Sequence, residues 1–195
     1  MAARTLVLAS ASSARLRVLR DAGLDPKVVV TGVPEDDVLE TSAAEIVDVL
    51  ARRKALAVDV ANALVIGCDS LLELDGVAMG KPASDDEARH RWREMRGKRG
   101  TLYTGHCVVD TATGALAMAV AGTDVEFGTP TEREIDAYIA TGEPLRVAGA
   151  FTLDGFAAPF VTRIEGDHGT VLGLSMPLLR ELLQQLGVEV TDLWC

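Results

Sequence analysis

Residues 64–82, LVIGCDSLLELDGVAMGKP, combine an apolar run, an acid, a tight turn and a lysine. Leu64, Val65 and Ile66 are rich in β-branched side chains, which is typical of a strand covered on both faces of a sheet. Asp69 follows this run. A carboxylate at the end of a buried strand is unfavourable unless it is paired, hydrogen-bonded or bound to metal, and ligands of α/β sheets bind at strand ends. We therefore predict that Asp69 belongs to a site.

The second half of this stretch predicts a hairpin that ends in a lysine. The dipeptide at 75–76, Asp-Gly, lies between apolar residues and is typical of a two-residue type I′ turn. The return strand ends in Gly-Lys-Pro at 80–82, where glycine permits close approach of the backbone to a ligand. We expect this hairpin to bring Asp69 and Lys81 near one another.

The first strand of the chain leads into a serine-rich turn. Residues 5–9 are predicted as the strand, 10–13 (SASS) as the turn and 14–22 as a helix. Unpaired N–H groups and the helix dipole attract an anion at such a helix start. Arg15 lies in the first turn, where a cation is unfavourable for the helix itself. The segment is therefore either a phosphate cradle or an ordinary capped helix with solvated arginines.

Two further charged residues precede the central stretch. Glu35 lies in an acidic loop at 31–41, and Lys54 lies late in a helix predicted over 42–59. Acidic runs are usually solvated, and cations near a helix C-terminus complement its dipole. Each residue thus has a structural explanation beside a functional one.

The rest of the chain completes an α/β pattern. The predicted segments are a helix at 84–95, a basic turn at 97–100, a long antiparallel pair at 101–109 and 115–127, a helix at 131–140, a strand at 160–164 in a glycine-rich loop tract (142–173), a helix at 175–186 and a strand at 188–190. His106 alternates with apolar neighbours, which favours a core histidine over a catalytic one. We expect one domain over 1–195, with a mixed sheet, flanking helices and a groove between two lobes.

Composition limits the partners. The 195 residues carry a net charge of −10, which opposes attraction to nucleic acid and leaves only a local basic cluster for phosphate. Three cysteines without a C-x-x-C pair are typical of reduced thiols in a cytosolic protein. We expect neither a signal peptide nor a membrane span, since the apolar runs of the sequence are short. We expect a cytoplasmic protein that binds neither nucleic acid nor membrane.

Familiar catalytic motifs are absent from the sequence. It contains no P-loop, no G-x-G-x-x-G, no H-E-x-x-H and no G-x-S-x-G. Two carboxylates among several cations nevertheless suit a polyphosphate bound with Mg²⁺ or Mn²⁺. Such ions take oxygen ligands and bridge phosphate oxygens, while lysine and arginine neutralise charge on the leaving group.

Five ordered motifs make the chain similar to a known family. They are LASASSARLRVL, ARRKA, GCDSLLELDGVAMGKP, YTGHCVV and VAGAFTLDGF with FVTRIEGDHGTVLGLSMPLL. Together they resemble the Maf family of nucleotide pyrophosphatases over nearly the whole chain. The resemblance implies hydrolysis of a nucleoside triphosphate to the monophosphate and pyrophosphate with a divalent metal, Mg²⁺ or Mn²⁺. It also implies a cytoplasmic homodimer with an elongated mixed sheet, two lobes and a central cleft, similar to inosine triphosphate pyrophosphatases.

The resemblance also implies roles for individual residues. Asp69 would be the catalytic acid, coordinating the metal and orienting or deprotonating the attacking water. Glu35 would complete the metal site. The family often has an Asp-Glu pair there, but this chain has Pro34 before Glu35, so Asp36 or Asp37 is a candidate substitute.

The remaining implied roles concern the nucleotide. Lys54, Lys81 and Arg15 would hold the triphosphate and stabilise the departing pyrophosphate, so Lys54 and Lys81 join Asp69 as catalytic residues. Ser10 would help to cradle the phosphates, whereas Ser12 and Ser13 are predicted as helix caps. Asp154 would face the base.

Two departures from the family pattern bear on affinity and specificity. Ser-Ala-Arg at 13–15 replaces the usual Pro-Arg-Arg, so one of two cations is missing and phosphate affinity is expected to be lower. Asp154 stands where the thymidine and uridine triphosphate subgroup has a glutamine, and an ionised carboxylate cannot donate a hydrogen bond. The base preference therefore stays open among non-standard, modified and pyrimidine nucleotides.

Two other functions remain as alternatives. A sugar-phosphate nucleotidyltransferase also uses a strand-to-helix turn with an arginine and a later lysine, but it leaves the Gly-Lys-Pro hairpin at 80–82 unexplained. A catalytically silent nucleotide-binding regulator would fit the missing arginine and Pro34. Release of pyrophosphate from nucleoside triphosphates separates the three.

Overall fold

The described residues form seven β-strands, six α-helices and four short 3₁₀ helices. The computed structural model describes residues 4–35, 37–40 and 42–195. Its strands are β1 (Thr5–Leu8), β2 (Lys27–Val28), β3 (Ala63–Leu74), β4 (Val77–Met79), β5 (Arg99–Asp110), β6 (Leu116–Phe127) and β7 (Val161–Glu165). Its α-helices are α1 (Ser13–Asp21), α2 (Ala43–Leu56), α3 (Asp85–Met95), α4 (Glu132–Ile139), α5 (His168–Leu172) and α6 (Met176–Gln185). Short 3₁₀ helices span Pro144–Arg146, Ala148–Ala150, Ala158–Phe160 and Val190–Leu193.

The strands form one mixed sheet. Their order is β2-β1-β3-β5-β6-β7, and β4 also pairs with β3. β1 runs parallel to both of its neighbours, whereas all other pairs are antiparallel. This arrangement confirms the predicted α/β class with a mixed sheet and flanking helices.

One edge of β3 changes partner along its length and leaves a gap. β5 pairs along the other edge from Leu64 to Glu73. On the gapped edge, β1 pairs with residues 63–66 and β4 with residues 72–74. Residues 67–71 lie between these two strands, and Asp69 is at their centre. The gap opens the sheet at this point and makes room for a cleft.

The two faces of the sheet carry different cores, because successive residues of a strand point to opposite faces. On one face, Val65 packs with Ala51 of α2. The opposite face holds two separate apolar cores. Leu64 belongs to the core covered by α1 and α6, whereas Leu72 belongs to the core around Trp92 of α3.

Helix α2 lies directly on two glycines of the sheet. A Cβ on Gly67 would meet the Ala51 carbonyl oxygen at 2.3 Å, and a Cβ on Gly105 would meet the Val47 carbonyl oxygen at 2.2 Å. Gly105 is also the cross-strand partner of Asp69. The two glycines therefore let α2 approach the sheet closely beside Asp69.

Substituting Gly105 by alanine should destabilise the fold strongly. The added methyl group would collide with helix backbone, so α2 must move, and overpacking of this kind costs about 1–3 kcal/mol. Chemical denaturation should show this loss. The matched control is Gly128→Ala, whose Cβ would meet its nearest atom at an ordinary 3.4 Å. Equal stability of the two variants would contradict the close-packing argument.

In the central stretch, residues 64–82, the structure confirms the predicted turn but not the predicted end of the strand. Asp75 and Gly76 have φ values of 51° and 79°, which confirms the type I′ turn. The prediction that the buried strand stops before Asp69 is wrong, because β3 continues to Leu74. Asp69 lies instead beyond the end of β1, where β3 loses its parallel neighbour.

Three other segments differ from the sequence prediction. The basic turn at 97–100 already enters β5, which begins at Arg99. Part of the tract expected as loop forms α5, whose N-cap is Asp167. The predicted terminal strand at 188–190 is wrong, since a 3₁₀ helix begins at Val190.

His106 is a buried structural histidine, as its apolar neighbours suggested. It has no exposed surface. Its Nε2 accepts the Ser175 backbone N–H at 2.8 Å, so the ring proton is on Nδ1 and is donated to the Thr104 carbonyl at 3.0 Å. Burial, with a smaller effect of the Arg15 charge, lowers the pKa of His106 to about 4.

This lowered pKa predicts acid sensitivity. Neutral His106 is favoured in the folded state, so its contribution is present above the unfolded pKa of about 6.5 and is lost as pH falls towards 4. The free energy of unfolding should fall by about 3 kcal/mol over that window. Denaturation at several pH values would measure it. His106→Gln, which cannot titrate, should show a weaker pH dependence between pH 5 and 6.5; an unchanged one would contradict this account.

The helices give no indication of a membrane span. Among the described residues, no helix combines the length and apolar character that crossing a bilayer requires.

Candidate active site

A cleft of about 760 Å³ opens at the gap in the sheet. Its size lies within the range usual for small-molecule sites. All seven residues selected from the sequence line it: Ser10, Arg15, Glu35, Lys54, Asp69, Lys81 and Asp154. They come from six separate segments of the chain, so the fold gathers groups that the sequence leaves far apart.

A lysine joins two carboxylates in this cleft. Lys54 Nζ lies 2.5 Å from Asp69 Oδ1 and 2.6 Å from Glu35 Oε1. The side chains of Lys54 and Asp69 are only 13% and 12% exposed, whereas Glu35 is 56% exposed. Lys54 and Asp69 thus form a largely buried ion pair that Glu35 completes from the solvent side.

Asp69 pairs with a lysine from another segment of the chain. The hairpin was predicted to bring Lys81 near Asp69, and both residues line the cleft, but the cation in contact with Asp69 is Lys54, in the last turn of α2. Lys81 lines the same cleft and forms no ion pair with an acidic group in the described part of the chain. Its positive charge is therefore available to an anionic ligand.

The backbone beside Lys81 is fixed from two directions. The Gly80 carbonyl accepts hydrogen bonds from Gly149 N–H at 3.1 Å and from Arg91 Nη1 at 2.5 Å. These contacts connect the hairpin to the glycine-rich tract and to α3. Lys81 is thus an exposed side chain on an anchored backbone.

Arg15 is held beneath the serine-rich turn. It is 9% exposed, and its guanidinium donates to the Gly173 carbonyl at 2.8 Å, to Ser10 Oγ at 3.0 Å and to Ser70 Oγ at 2.9 Å. Ser12 is the N-cap of α1 and accepts the Arg15 backbone N–H, whereas Ser13 is the first residue of the helix. The segment is therefore more than an ordinary capped helix, since its arginine is not solvated.

Asp154 lines the cleft and pairs with Arg17 of α1. Its side chain is 35% exposed, and that of Arg17 is 54% exposed. The pair joins the first helix to the glycine-rich tract. Within the cleft lining, the Asp154 carboxylate is an acceptor-only group when ionised.

Sequence reasoning missed several residues of this site. Ser70, Arg146 and Phe151 also line the cleft. Ser70 follows Asp69 directly, and Arg146 is a cation in the glycine-rich tract, so each carried a weak signal. Phe151 and the partner of Asp154, Arg17, carried none that separates them from ordinary core or surface residues.

Two carboxylates of the cleft are suited to a divalent cation. No three His, Cys, Asp or Glu side chains form a metal-holding group in the ranges that the structure describes. Mg²⁺ is, however, commonly bound through one or two carboxylates together with substrate phosphates. Asp69 and Glu35 fit this arrangement, because both already contact one cationic group, Lys54 Nζ.

Asp36 and Asp37 were the candidate substitutes for the acid that Pro34 replaces beside Glu35. Asp37 pairs with Arg53 at 2.5 Å and is not among the described residues that line the cleft. Asp36 lies outside the described residues. Glu35 is therefore the loop carboxylate that the structure brings to Asp69.

The mixed α/β sheet is open along one edge of β3. The cleft at this edge combines a carboxylate pair with several cations, and this arrangement defines a binding protein for a small anionic ligand. The comparison with protein families then identifies the chain. A family model described as Maf-like protein matches residues 5–186. The chain belongs to the Maf family.

Close relatives carry one common name. The chain is 57% identical to a protein of Streptomyces avermitilis and 59% identical to one of Streptomyces coelicolor, with 98% of this chain and 95% of each relative covered. It is 54% identical to a protein of Salinispora tropica, with 97% and 87% covered. All three relatives are named nucleoside triphosphate pyrophosphatase.

Proposed function

We propose that this protein hydrolyses a nucleoside triphosphate to the nucleoside monophosphate and pyrophosphate. The observation that carries the proposal is the Asp69–Lys54–Glu35 cluster in a cleft that Arg15 and Lys81 also line. Acids that bind a cation and orient water stand beside cations that hold phosphates. The name shared by the relatives gives independent support.

Asp69 is the residue suited to activate water. Its carboxylate is largely buried, is fixed by Lys54 and is an acceptor only, so it can hold a water molecule and receive its proton. Attack on the α-phosphorus breaks the bond to the bridging oxygen between the α- and β-phosphates and releases pyrophosphate. We propose that Asp69 and Glu35 hold Mg²⁺ or Mn²⁺, which when bound would neutralise phosphate charge.

The cations of the cleft act on the leaving group. Negative charge grows on the departing pyrophosphate, and fixed cations aimed at that charge lower the barrier. Arg15 is held by three hydrogen bonds, and Lys81 extends from an anchored turn. Ser10 orients Arg15 through its hydroxyl and adds a polar group to the cradle.

Removing Lys81 should weaken binding of the triphosphate. Lys81→Ala deletes a cation without an ion pair in the described part of the chain, so KM should rise about tenfold with the fold intact. Steady-state kinetics of pyrophosphate release would measure it. Lys98→Ala, which removes an exposed lysine paired with Asp75, should leave KM unchanged. Unchanged kinetics in Lys81→Ala would remove this lysine from the site.

We further propose that Asp154 faces the base. An ionised carboxylate only accepts hydrogen bonds, so it favours a base edge that presents N–H donors. Its pairing with Arg17 holds the carboxylate in the lining of the cleft. This suits a non-standard, modified or pyrimidine nucleotide whose edge donates.

A homodimer in the cytoplasm completes the proposal. Buried Cys68 and Cys107 are free thiols, as is exposed Cys195, which supports a reducing compartment. Light scattering during size-exclusion chromatography would measure the mass in solution. A mass near 20.6 kDa would contradict the dimer.

A substrate panel tests the function. Pyrophosphate release is measured from canonical and modified triphosphates with Mg²⁺, with Mn²⁺ and with a chelator. We expect metal-dependent release with the matching monophosphate as second product. Formation of a nucleotide sugar only when a sugar phosphate is present would favour a nucleotidyltransferase. Nucleotide binding without release would favour a silent regulator and overturn the proposed hydrolysis.

A further inference from the structure

A polar seam crosses the buried sheet face between its two apolar cores. On β3, Ser70 lies between Cys68 of one core and Leu72 of the other. Its cross-strand partner on β5 is Thr104, which has no exposed surface. A buried hydroxyl in this place requires hydrogen-bond partners, and those partners lead to Arg15.

The hydrogen bonds of the seam run in one direction. Thr104 Oγ1 donates to the Thr170 carbonyl at 2.8 Å. The 2.9 Å contact between Thr104 Oγ1 and Ser70 Oγ must then use the proton of Ser70. Ser70 Oγ in turn accepts from Arg15 Nη2 at 2.9 Å. The hydrogen bonds therefore run from Arg15 to Ser70, from Ser70 to Thr104, and from Thr104 to the Thr170 carbonyl, which accepts the last one.

These hydrogen bonds determine which N–H groups of the Arg15 guanidinium remain for a ligand. An arginine has five N–H donors in a rigid plane. Arg15 spends one each on Gly173, Ser10 and Ser70. One N–H on each Nη remains, and the side chain lines the cleft. Because the Ser70 proton is committed to Thr104, the Ser70 oxygen stays available to Arg15.

We propose that Thr104 is a positioning residue: through Ser70 it holds the Arg15 guanidinium in the orientation that binds phosphate. The proposal rests on the proposed function through the phosphate contact of Arg15. Without the Thr104 acceptor, the Ser70 proton loses its partner, so the hydroxyl is no longer fixed in the orientation that presents its oxygen to Arg15.

The chain offers a matched control on the neighbouring strand. Thr123 of β6 is 1% exposed and donates to the Asp167 carbonyl at 2.8 Å. Thr104 and Thr123 therefore anchor the same segment around α5 by the same type of bond. The hydrogen bonds of Thr123 do not include Arg15 or Ser70, so Thr123→Val matches the structural loss of Thr104→Val.

The test measures binding of inorganic pyrophosphate by calorimetry, and kcat and KM for the best triphosphate. We expect Thr104→Val to weaken pyrophosphate binding and to lower kcat/KM about tenfold each. Thr104→Ser, which keeps the hydroxyl, should restore both, and Thr123→Val should change neither. In an Arg15→Lys background, Thr104→Val should have a much smaller further effect, since the guanidinium plane that it positions is gone.

The outcomes separate this proposal from the proposed function. Equal losses in Thr104→Val and Thr123→Val, or a full additional loss in the Arg15→Lys background, would overturn the positioning role. If Thr104→Val does not fold, Ser70→Ala breaks the same run of hydrogen bonds and must give the same loss and the same dependence on Arg15. A wild-type protein that binds pyrophosphate but hydrolyses no triphosphate contradicts the function alone; failure to bind pyrophosphate overturns the phosphate role of Arg15.

Discussion

Asp69→Asn is expected to lower kcat by about 1,000-fold while the fold stays intact. Asparagine has nearly the shape of aspartate but carries no negative charge, so it neither receives a proton from water nor holds a divalent cation well. Lys54 would keep Glu35 as its remaining carboxylate partner. The loss should therefore appear in turnover far more than in folding.

The measurement is pyrophosphate release under saturating triphosphate, with thermal denaturation and nucleotide binding measured in parallel. Glu73→Gln provides the control, because Glu73 lies four residues further along β3, on the same face, and does not line the cleft. It should keep wild-type kcat. A near-normal kcat in Asp69→Asn would mean that Asp69 is only a structural ion-pair partner of Lys54.

The position of Asp69 shows what a strand sequence can and cannot predict. Its apolar run predicted a buried strand with a functional acid after it, and the acid does line the cleft. The predicted strand end was wrong because the interruption belongs to β1, which ends at Leu8. The residues of β3 do not indicate how long its parallel neighbour β1 is, so the gap is seen only in the assembled sheet.

Features that depend on residues close together in the sequence were predictable, whereas contacts between residues far apart in the sequence were not. Turn residues such as Asp75 and helix caps such as Ser12 depend on neighbours in sequence, and the structure confirms both. The bond from Arg15 to Gly173 joins residues 158 positions apart. Motif resemblance placed Arg15 in the site, but only the fold shows that it is held from three sides.

The contact of α2 with the two glycines beneath it is also a long-range feature that the sequence does not show. Gly105 reads as an unremarkable residue inside a strand, where glycine is usually weakening. In the sheet it faces Asp69 across the strands and lies against the Val47 carbonyl. The close approach of α2 brings Lys54 to Asp69, so the packing that requires a glycine at 105 also permits the Lys54–Asp69 ion pair.

Arg15→Lys is expected to lower kcat/KM about 100-fold, although the charge is conserved. Lysine presents three donors from one nitrogen, and it cannot reproduce a planar fork that serves three fixed partners and a ligand. Ser10 Oγ, Ser70 Oγ and the Gly173 carbonyl would compete with phosphate for the same ammonium. The free energy of unfolding should also fall, by about 1–3 kcal/mol, because buried acceptors lose their donors.

The control for this substitution is Arg20→Lys on the same helix, where the arginine is 56% exposed and pairs with Asp25. It should change neither kinetics nor stability measurably, since exposed ion pairs contribute little. Kinetics of pyrophosphate release and chemical denaturation would be measured for both variants. If Arg15→Lys kept wild-type kcat/KM, charge alone would suffice at this position, and neither the guanidinium geometry nor the seam that fixes it would matter for binding phosphate.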